Sequence, residues 1–226
     1  MISIHQLTKR YHNQPVLHQL NAEFEEGKIY GVVGANGAGK TTWFRCMAGL
    51  ENYEGTVTAP VQPLKNAMGF LPAEPAFFDK VTGEEYVRMV AAARQEDVLN
   101  LEERNVFELP LQQYASTYST GMKKKLALWA ILLLPNQYYI LDEPFNGVDI
   151  QSNLMITEVV MRLAAMGKTV FLSSHIFATL SETCHHILLL EEGRITQWVN
   201  RADFGQLEAH MRSVSIAGKV DQLGLL

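Results

Sequence analysis

A glycine-rich loop that ends in lysine and threonine carries the clearest chemical signal in this sequence. The residues from Gly34 to Thr41 match the pattern G-x-x-x-x-G-K-[ST], directly after the apolar run from Ile29 to Val33. Glycines let a backbone wrap around a polyphosphate, and the start of the following helix adds partial positive charge. In this pattern Lys40 reaches the β- and γ-phosphates, and the Thr41 hydroxyl binds Mg²⁺. A purely structural turn is the alternative, which the flanking strand and helix disfavour. The loop residues expected to contact the nucleotide are Gly34, Asn36, Gly37, Ala38, Gly39, Lys40, Thr41 and Thr42.

Two adjacent carboxylates follow a second apolar run, Tyr138 to Leu141. In open α/β sheets ligands bind at the carboxyl ends of the strands, so this pair is expected beside the phosphates. Asp142 would hold Mg²⁺, directly or through water. Glu143 would lie near the γ-phosphate and polarise the attacking water. For an isolated pair, a solvated strand end is the simpler explanation, but a phosphate-binding loop elsewhere in the chain favours the catalytic one.

The composition is that of an ordinary globular protein. Of the 226 residues, 47% are hydrophobic and 19% are charged, which excludes a disordered chain. The net charge of −5 argues against a dedicated nucleic-acid-binding protein, since such proteins usually carry a basic face. Two cysteines, Cys46 and Cys184, make no disulfide framework, so a reducing compartment is expected. The uncharged stretch 126–141 contains Pro135 and is shorter than the ~20 residues of a membrane span.

Short apolar runs alternate with segments of helical periodicity, which predicts an α/β fold. Ile2 to Thr8 and Val16 to Phe24 predict a small antiparallel sheet. Helices are predicted at Glu84 to Gln95 and Lys123 to Leu134, with no strand from Glu74 to Pro135, as expected for a helical lobe inserted between core strands. The predicted core strands are Ile29 to Val33, Ala67 to Leu71, Tyr138 to Leu141, Thr169 to Leu172 and His186 to Leu190, followed by a hairpin through Glu192-Gly193 into Arg194 to Val199.

Further motifs occur in a fixed order along the chain. Tyr118-Ser119-Thr120-Gly121-Met122 aligns with a signature motif usually written L-S-G-G-Q. Pro144 to Asp149 resembles the segment called the D-loop, and Ser173-Ser174-His175 resembles a switch-histidine segment. Tyr11, ahead of the first turn, looks like a further aromatic residue of the same motif set. With these motifs the chain resembles, over most of its length, the nucleotide-binding subunits of ABC transporters.

The resemblance implies an α/β fold of the P-loop NTPase class, the ABC ATPase fold. Its core sheet is mostly parallel, with an N-terminal antiparallel β subdomain and an inserted helical lobe. Residues 1–226 would form one domain. Within it, residues 1–73 and 136–226 would form the nucleotide-binding core lobe, and residues 74–135 the helical signature lobe. ATP and Mg²⁺ are the implied ligands.

The resemblance also implies roles for residues outside the loop. Two subunits would sandwich two ATP molecules, so that Ser119 and Gly121 of one subunit contact the γ-phosphate held by the other. Asp149 would help to align the two halves. His175 would contact the γ-phosphate, and Tyr11 would stack on adenine. Lys40, Glu143 and His175 are thus the expected catalytic residues.

Structural explanations remain open for several of these residues. Ser119 and Asp149 can each cap the helix that follows, and His175 alone could be structural. Tyr11 could be a packed core aromatic. Lys123, Lys124 and Lys125 either add positive charge beside the signature motif or form a solvated face.

The sequence departs from the family pattern at several positions. Ala73 occupies the position of a glutamine that touches Mg²⁺ or water, and alanine cannot form a side-chain hydrogen bond. Either the metal keeps an extra water there or Glu74 moves in, and either change could slow hydrolysis or loosen coupling. Thr120 and Met122 replace the usual glycine and glutamine of the signature. Ile150 replaces a proline, with no functional meaning attached.

The resemblance implies two protein partners. One is a second ATPase subunit, expected to be a second copy, and the other is a separate permease that holds the chain at the cytoplasmic face of the cell membrane. Phe77, Phe78 and Tyr86 would either line the permease-docking groove or pack in the core. The stretch from Glu143 to Asp149 resembles subunits of exporter-type permeases. The alternatives are a non-transport ABC-type ATPase and a nucleotide-gated interaction module.

Overall fold

The computed structural model describes residues 1–216 and contains two sheets. The strands are β1 (Ile2–Tyr11), β2 (Gln14–Phe24), β3 (Ile29–Val33), β4 (Glu54–Thr58), β5 (Met68–Leu71), β6 (Tyr138–Leu141), β7 (Thr169–Ser173), β8 (His186–Glu191) and β9 (Arg194–Asn200). The helices are α1 (Lys40–Met47), α2 (Gly83–Ala92), α3 (Thr120–Leu132), α4 (Ile150–Ala165), α5 (Phe177–Thr183) and α6 (Phe204–Ile216).

The six-stranded sheet has the order β5-β6-β7-β3-β8-β9. The first five of these strands pair in parallel, and β9 returns antiparallel to β8. Strands β3, β6 and β7 are buried along their whole length, as expected for a sheet covered on both faces. The predicted mostly parallel core sheet and its closing hairpin are therefore confirmed.

The smaller sheet has the order β2-β1-β4 and is antiparallel, as predicted for the start of the chain. Its third strand, β4, was not predicted. The sequence of β4 is Glu-Gly-Thr-Val-Thr, and only Val57 is shielded from solvent, so the strand lacks the apolar alternation of a half-buried strand. Pairing with the exposed edge of β1 creates this strand.

The two predicted helices between β5 and β6 exist, but both begin earlier than expected. Helix α2 starts at Gly83 because Thr82 forms a capping box with Glu85. Helix α3 starts at Thr120 because the Ser119 hydroxyl accepts a hydrogen bond from the Met122 backbone N–H. No strand lies between Glu74 and Pro135, all of which the structure describes. The division of the whole chain into two lobes remains a prediction, and residues 217–226 lie outside the described part.

The core forms on both faces of the parallel sheet. One cluster joins the sheet to α2, α3 and α4, and includes the fully buried Trp129 and Leu126. The other joins it to α1 and the small sheet, and includes Trp43 and Phe44. Among residues 1–216, the structure contains no helix with the length and apolar character needed to span a bilayer.

The strand order places four chain segments at one edge of the sheet. Strands β5, β6, β7 and β3 are neighbours and point the same way, so the residues that follow them converge. Those residues are Ala73, Asp142, His175 and the loop from Gly34. Sheet pairing therefore gathers residues from distant parts of the chain.

Candidate functional site: a nucleotide-binding cavity

The loop between β3 and α1 needs glycine at two positions for different reasons. A Cβ on Gly34 would overlap the carbonyl oxygen of Leu190 on β8, so the loop packs directly on the neighbouring strand. Gly39 is the N-cap of α1 and has a φ of 106°, which side chains rarely adopt. These two positions let the chain leave β3, curl and enter α1, so that the first N–H groups of the helix face the loop interior.

Lys40 points back into this loop. Its Nζ donates hydrogen bonds to the carbonyls of Gly34, at 2.7 Å, and Ala35, at 3.2 Å. Burial lowers the pKa of this ammonium, while the charges of Glu143 and Asp142 act in the opposite direction. The loop therefore encloses a positive charge that can neutralise a phosphate.

Thr41, Asp142 and Ser173 form one hydrogen-bonded chain across three segments. The Thr41 hydroxyl donates to Asp142 Oδ2 at 2.6 Å, and the Ser173 hydroxyl donates to Asp142 Oδ1 at 2.7 Å. Ser173 also accepts a 2.9 Å bond from the backbone N–H of Glu143. The hydrogen bonds from Thr41 and Ser173 fix both carboxylate oxygens of Asp142. The residue is only 1% exposed, so the bonds also satisfy a buried carboxylate. Sequence reasoning placed Ser173 in the switch segment but missed this role.

The Glu143 carboxylate lies beside His175. Oε2 of Glu143 accepts a 3.2 Å hydrogen bond from the His175 backbone N–H, and Oε1 lies 3.0 Å from His175 Nε2. Oε1 accepts no well-directed hydrogen bond from the described residues. Burial raises the pKa of Glu143, against the opposing charges of His175 and Lys40. The site therefore contains a buried carboxylate in contact with an imidazole, and a carboxylate in such surroundings suits a group that takes a proton from water.

These groups line one cavity of about 430 Å³. From the predicted site it includes Tyr11, Asn36, Gly37, Gly39, Lys40, Thr41, Thr42, Asp142, Glu143 and His175. Val16, Ala73 and Asn146 complete the described lining. Asn146 was not predicted, and its place beside the cavity depends on how the chain turns after Glu143.

The predicted residues Gly34, Ala38, Ser119, Gly121 and Asp149 are not among the described residues that line this cavity. Gly34 and Ala38 line a second cavity on the β8 and β9 side of the loop. Ser119 caps α3 and is exposed, as is Thr120. Asp149 caps α4 by accepting bonds from the Ser152 N–H, at 2.8 Å, and the Ser152 hydroxyl, at 2.7 Å. The Ser152 backbone bond is the main cause of the lowered pKa of Asp149. The capping explanation thus holds for both residues and leaves their other roles open.

Tyr11 lies at the end of β1 and is 36% exposed, so it is not a core residue. The ammonium of Lys9 lies 4.6 Å from the centre of its ring. Lys9 in turn forms a 2.8 Å ion pair with Glu51. This arrangement leaves the ring available at the rim of the cavity, where an adenine base could stack.

Ala73 and Glu74 are placed differently. Ala73 lines the cavity, whereas Glu74 is exposed and does not line it. Of the three aromatic residues expected near a docking groove, Phe77 and Tyr86 pack together with ring centres 4.6 Å apart and contact the core. Phe78 is 66% exposed. The core explanation therefore fits Phe77 and Tyr86 but not Phe78.

The side chains at the cavity fit a Mg²⁺ ion. Thr41 and Asp142 present hard oxygen atoms that already share a hydrogen bond, and Mg²⁺ prefers one or two such ligands together with substrate phosphates and water. No site residue among those described adds the sulfur ligands that other metals select.

Comparison with known proteins agrees with this geometry. A model of the ABC transporter family matches residues 17–146. The bacitracin transport ATP-binding protein BcrA of Enterococcus faecalis is 31% identical over 224 residues, covering 88% of this chain and 69% of that protein. A solved ATP-binding subunit of an ABC transporter aligns with a TM-score of 0.80 and 25% identity, covering 100% of this chain and 98% of that chain.

The fold is also shared with an ATP-binding cassette solved as a dimer in a post-hydrolysis state with ADP and Pi. Its TM-score is 0.78 at 19% identity, and the match covers 89% of this chain and 99% of that chain. The family match spans more than half of the chain and includes both the loop and the acidic pair. The chain therefore belongs to the ABC transporter ATP-binding family and carries an ABC ATPase domain.

Proposed function

We propose that this chain hydrolyses MgATP within a closed dimer and thereby drives substrate export through a separate membrane permease. One observation carries the proposal: the phosphate loop, the Thr41–Asp142 pair and Glu143 line the same cavity. A polyphosphate, a metal ion and an attacking water therefore have adjacent places.

Each residue of the cavity has its own role in the proposed reaction. Lys40 and the N–H groups at the start of α1 neutralise charge on the β- and γ-phosphates. Thr41 and Asp142 would hold Mg²⁺, which would supply positive charge that stabilises the phosphates. Glu143 orients the attacking water and accepts its proton on the carboxylate, and His175 donates to the γ-phosphate. Positioning and electrostatic stabilisation supply most of the rate.

The dimer is proposed because the signature residues lie outside the cavity of their own subunit. Ser119 is exposed at the start of α3 and Gly121 lies in the same first turn, where free N–H groups can bind an anion. A twofold-symmetric pair would place each signature on the phosphate held by the other copy and satisfy both sites at once. In this arrangement Asp149 aligns the two halves and Tyr11 stacks on adenine.

The permease is proposed to hold the chain at the cytoplasmic face of the membrane. The exposed Phe78 contacts it, close to the segment that follows Ala73. Transport by the relative BcrA, named for bacitracin, supports a transport role. Export is preferred because the stretch from Glu143 to Asp149 resembles subunits of exporter-type permeases.

Light scattering on a sizing column tests the dimer. Glu143→Gln removes the proton acceptor, so the purified variant is expected to bind ATP and elute as a dimer only with MgATP. Adding Lys40→Ala to this variant should prevent the shift by weakening ATP binding. A Glu143→Gln chain that binds ATP and remains monomeric would contradict closure between two copies and favour another partner or a nucleotide-gated module.

Growth assays test export. Cells that express the wild-type chain with its membrane partner are exposed to a panel of toxic compounds, and an exporter should confer resistance to at least one of them. Cells with Glu143→Gln should lose that resistance. Membrane fractionation of the same cells should place the wild-type chain and the Glu143→Gln variant in the peripheral, salt-extractable fraction. Purely soluble chains would contradict the permease partner.

A further inference from the structure

A buried lysine of α3 takes no part in the chemistry described above. Lys124 is 2% exposed, and its Nζ donates a 2.7 Å hydrogen bond to the backbone carbonyl of Glu143. In the described part of the chain it forms no ion pair with a carboxylate. Burial lowers the pKa of this ammonium, against the charges of Glu143, Asp142 and Glu74. A buried ammonium without a close carboxylate is costly, so this one bond is its main compensation.

The bond acts on a backbone of unusual conformation. Glu143 has a φ of 50°, in the left-handed region that residues other than glycine seldom adopt. Its N–H is held by Ser173, and its carbonyl receives Lys124 and a longer 3.3 Å bond from the Asn146 N–H. The next residue, Pro144, has no N–H to contribute. Since such conformations persist only where the surroundings enforce them, these bonds set the direction of the Glu143 side chain.

The start of α3 also packs tightly on the loop that follows Glu143. A Cβ on Gly121 would lie 2.5 Å from the Gly147 carbonyl oxygen, so helix and loop touch through their backbones. Lys124 is one helical turn beyond Gly121 on the same helix. A displacement of the helix start relative to the loop would therefore also change the Lys124 bond.

We propose that Lys124 is a positioning residue that holds the backbone of Glu143 from the signature helix, so that the Glu143 carboxylate faces the nucleotide. The inference rests on the proposed role of Glu143 as the group that activates water. It assigns to α3 a second task besides presenting Ser119: the orientation of the helix determines whether the carboxylate of its own subunit is aligned.

Steady-state ATPase kinetics of three purified variants test the inference. Lys124→Met keeps the length and apolar stem but removes the donor, and Lys124→Gln restores a neutral donor. As the control, Lys65→Met makes the same change at an exposed lysine outside the cavity. For Lys124→Met we expect kcat to fall about tenfold or more while KM for ATP changes by less than about threefold. Lys124→Gln should recover part of kcat, and Lys65→Met should stay within about twofold.

Melting temperature separates positioning from stability. Replacing a buried charge by an apolar group is often neutral or stabilising, so Lys124→Met should melt no lower than the wild type. The inference is overturned if kcat is unchanged in Lys124→Met. It is also overturned if Met and Gln lower kcat equally and both melt lower, which would make Lys124 purely structural. Glu143→Gln run in parallel tests the proposed function separately: if it keeps wild-type kcat, the role of Glu143 fails whatever Lys124 does.

Discussion

Thr41 and Asp142 lie 101 positions apart in the chain, and their side chains share a hydrogen bond of 2.6 Å. The bond joins the first turn of α1 to the end of β6, because β7 alone separates β6 from β3 in the sheet. The two residues proposed to hold Mg²⁺ are therefore in direct contact in this structure. The Ser173 hydroxyl holds the second oxygen of Asp142, which leaves the pair little freedom to rotate.

This pair predicts a selective effect on Mg²⁺ binding. Thr41→Val keeps the shape but removes the hydroxyl, so the affinity for MgATP should fall about tenfold or more, while the affinity for metal-free ATP changes much less. Thr41→Ser keeps the hydroxyl and should behave like the wild type. Nucleotide titrations with and without Mg²⁺ measure this difference, and an equal loss under both conditions would contradict the assignment.

From the alanine at position 73 we predict that the wild-type chain hydrolyses ATP more slowly than a variant with glutamine there. It lines the cavity where the family pattern has glutamine, and Glu74 does not take its place in this structure. Ala73→Gln adds an amide that can hold water or metal-bound water, so kcat should rise severalfold. Ala73→Met has similar bulk without the amide and should not raise it. An unchanged rate in Ala73→Gln would show that this position does not limit hydrolysis.

The contact between Glu143 and His175 predicts a pH effect. Burial raises the pKa of Glu143, and the charge of His175 lowers it. Glu143 must be ionised to accept a proton, so the rate falls as the pH drops through this pKa. His175→Ala removes the lowering charge and should move the acidic limb of the kcat profile to higher pH. His5→Ala, a matched change at an exposed position on β1, should leave the limb in place. A limb that moves to lower pH in His175→Ala would disprove the coupling.

The same pKa predicts how stability depends on pH. Because the pKa of Glu143 is raised in the folded state above its ordinary value of 4.5, folding favours the protonated form. Its stabilising contribution is complete below pH 4.5 and is lost as the pH rises through the raised pKa. Glu143→Gln imitates the protonated form, so the variant should melt higher than the wild type at pH 8 and about equally at pH 4. A variant that melts lower at pH 8 would refute this.

Contact between α3 and the loop at Gly147 predicts a steric effect. Gly121→Ala would place a methyl group 2.5 Å from the Gly147 carbonyl oxygen, so the helix start must shift, at a cost of roughly 1–3 kcal/mol in unfolding free energy. Gly205→Ala is the matched control, because a Cβ there meets nothing within 4 Å and alanine favours the helix α6. Denaturant titrations compare the two. Equal stability of both variants would show that the helix start can move freely.

The sequence alone was enough for the type of fold and for naming the residues that we propose to be reactive. The spacing of Gly34, Gly39, Lys40 and Thr41 implies a strand, a turn and a helix, because those residue types are useful together only in that geometry. The apolar runs predicted all five parallel strands to within two residues, since strands buried on both faces are almost wholly apolar. Asp142 and Glu143 followed from their place after such a run.

Only the tertiary structure decided which groups touch. Local patterns do not reveal that Ser173 orients Asp142. They also do not reveal that Lys124 is buried and bonded to the Glu143 carbonyl, while Lys123 and Lys125 are more exposed. Nor do they show that Ala73 rather than Glu74 lines the cavity. Strand β4 escaped prediction because pairing with β1, not its own sequence, creates it. Each of these contacts joins residues far apart in the chain, and their geometry depends on the strand order and register of the sheet, which no local segment encodes.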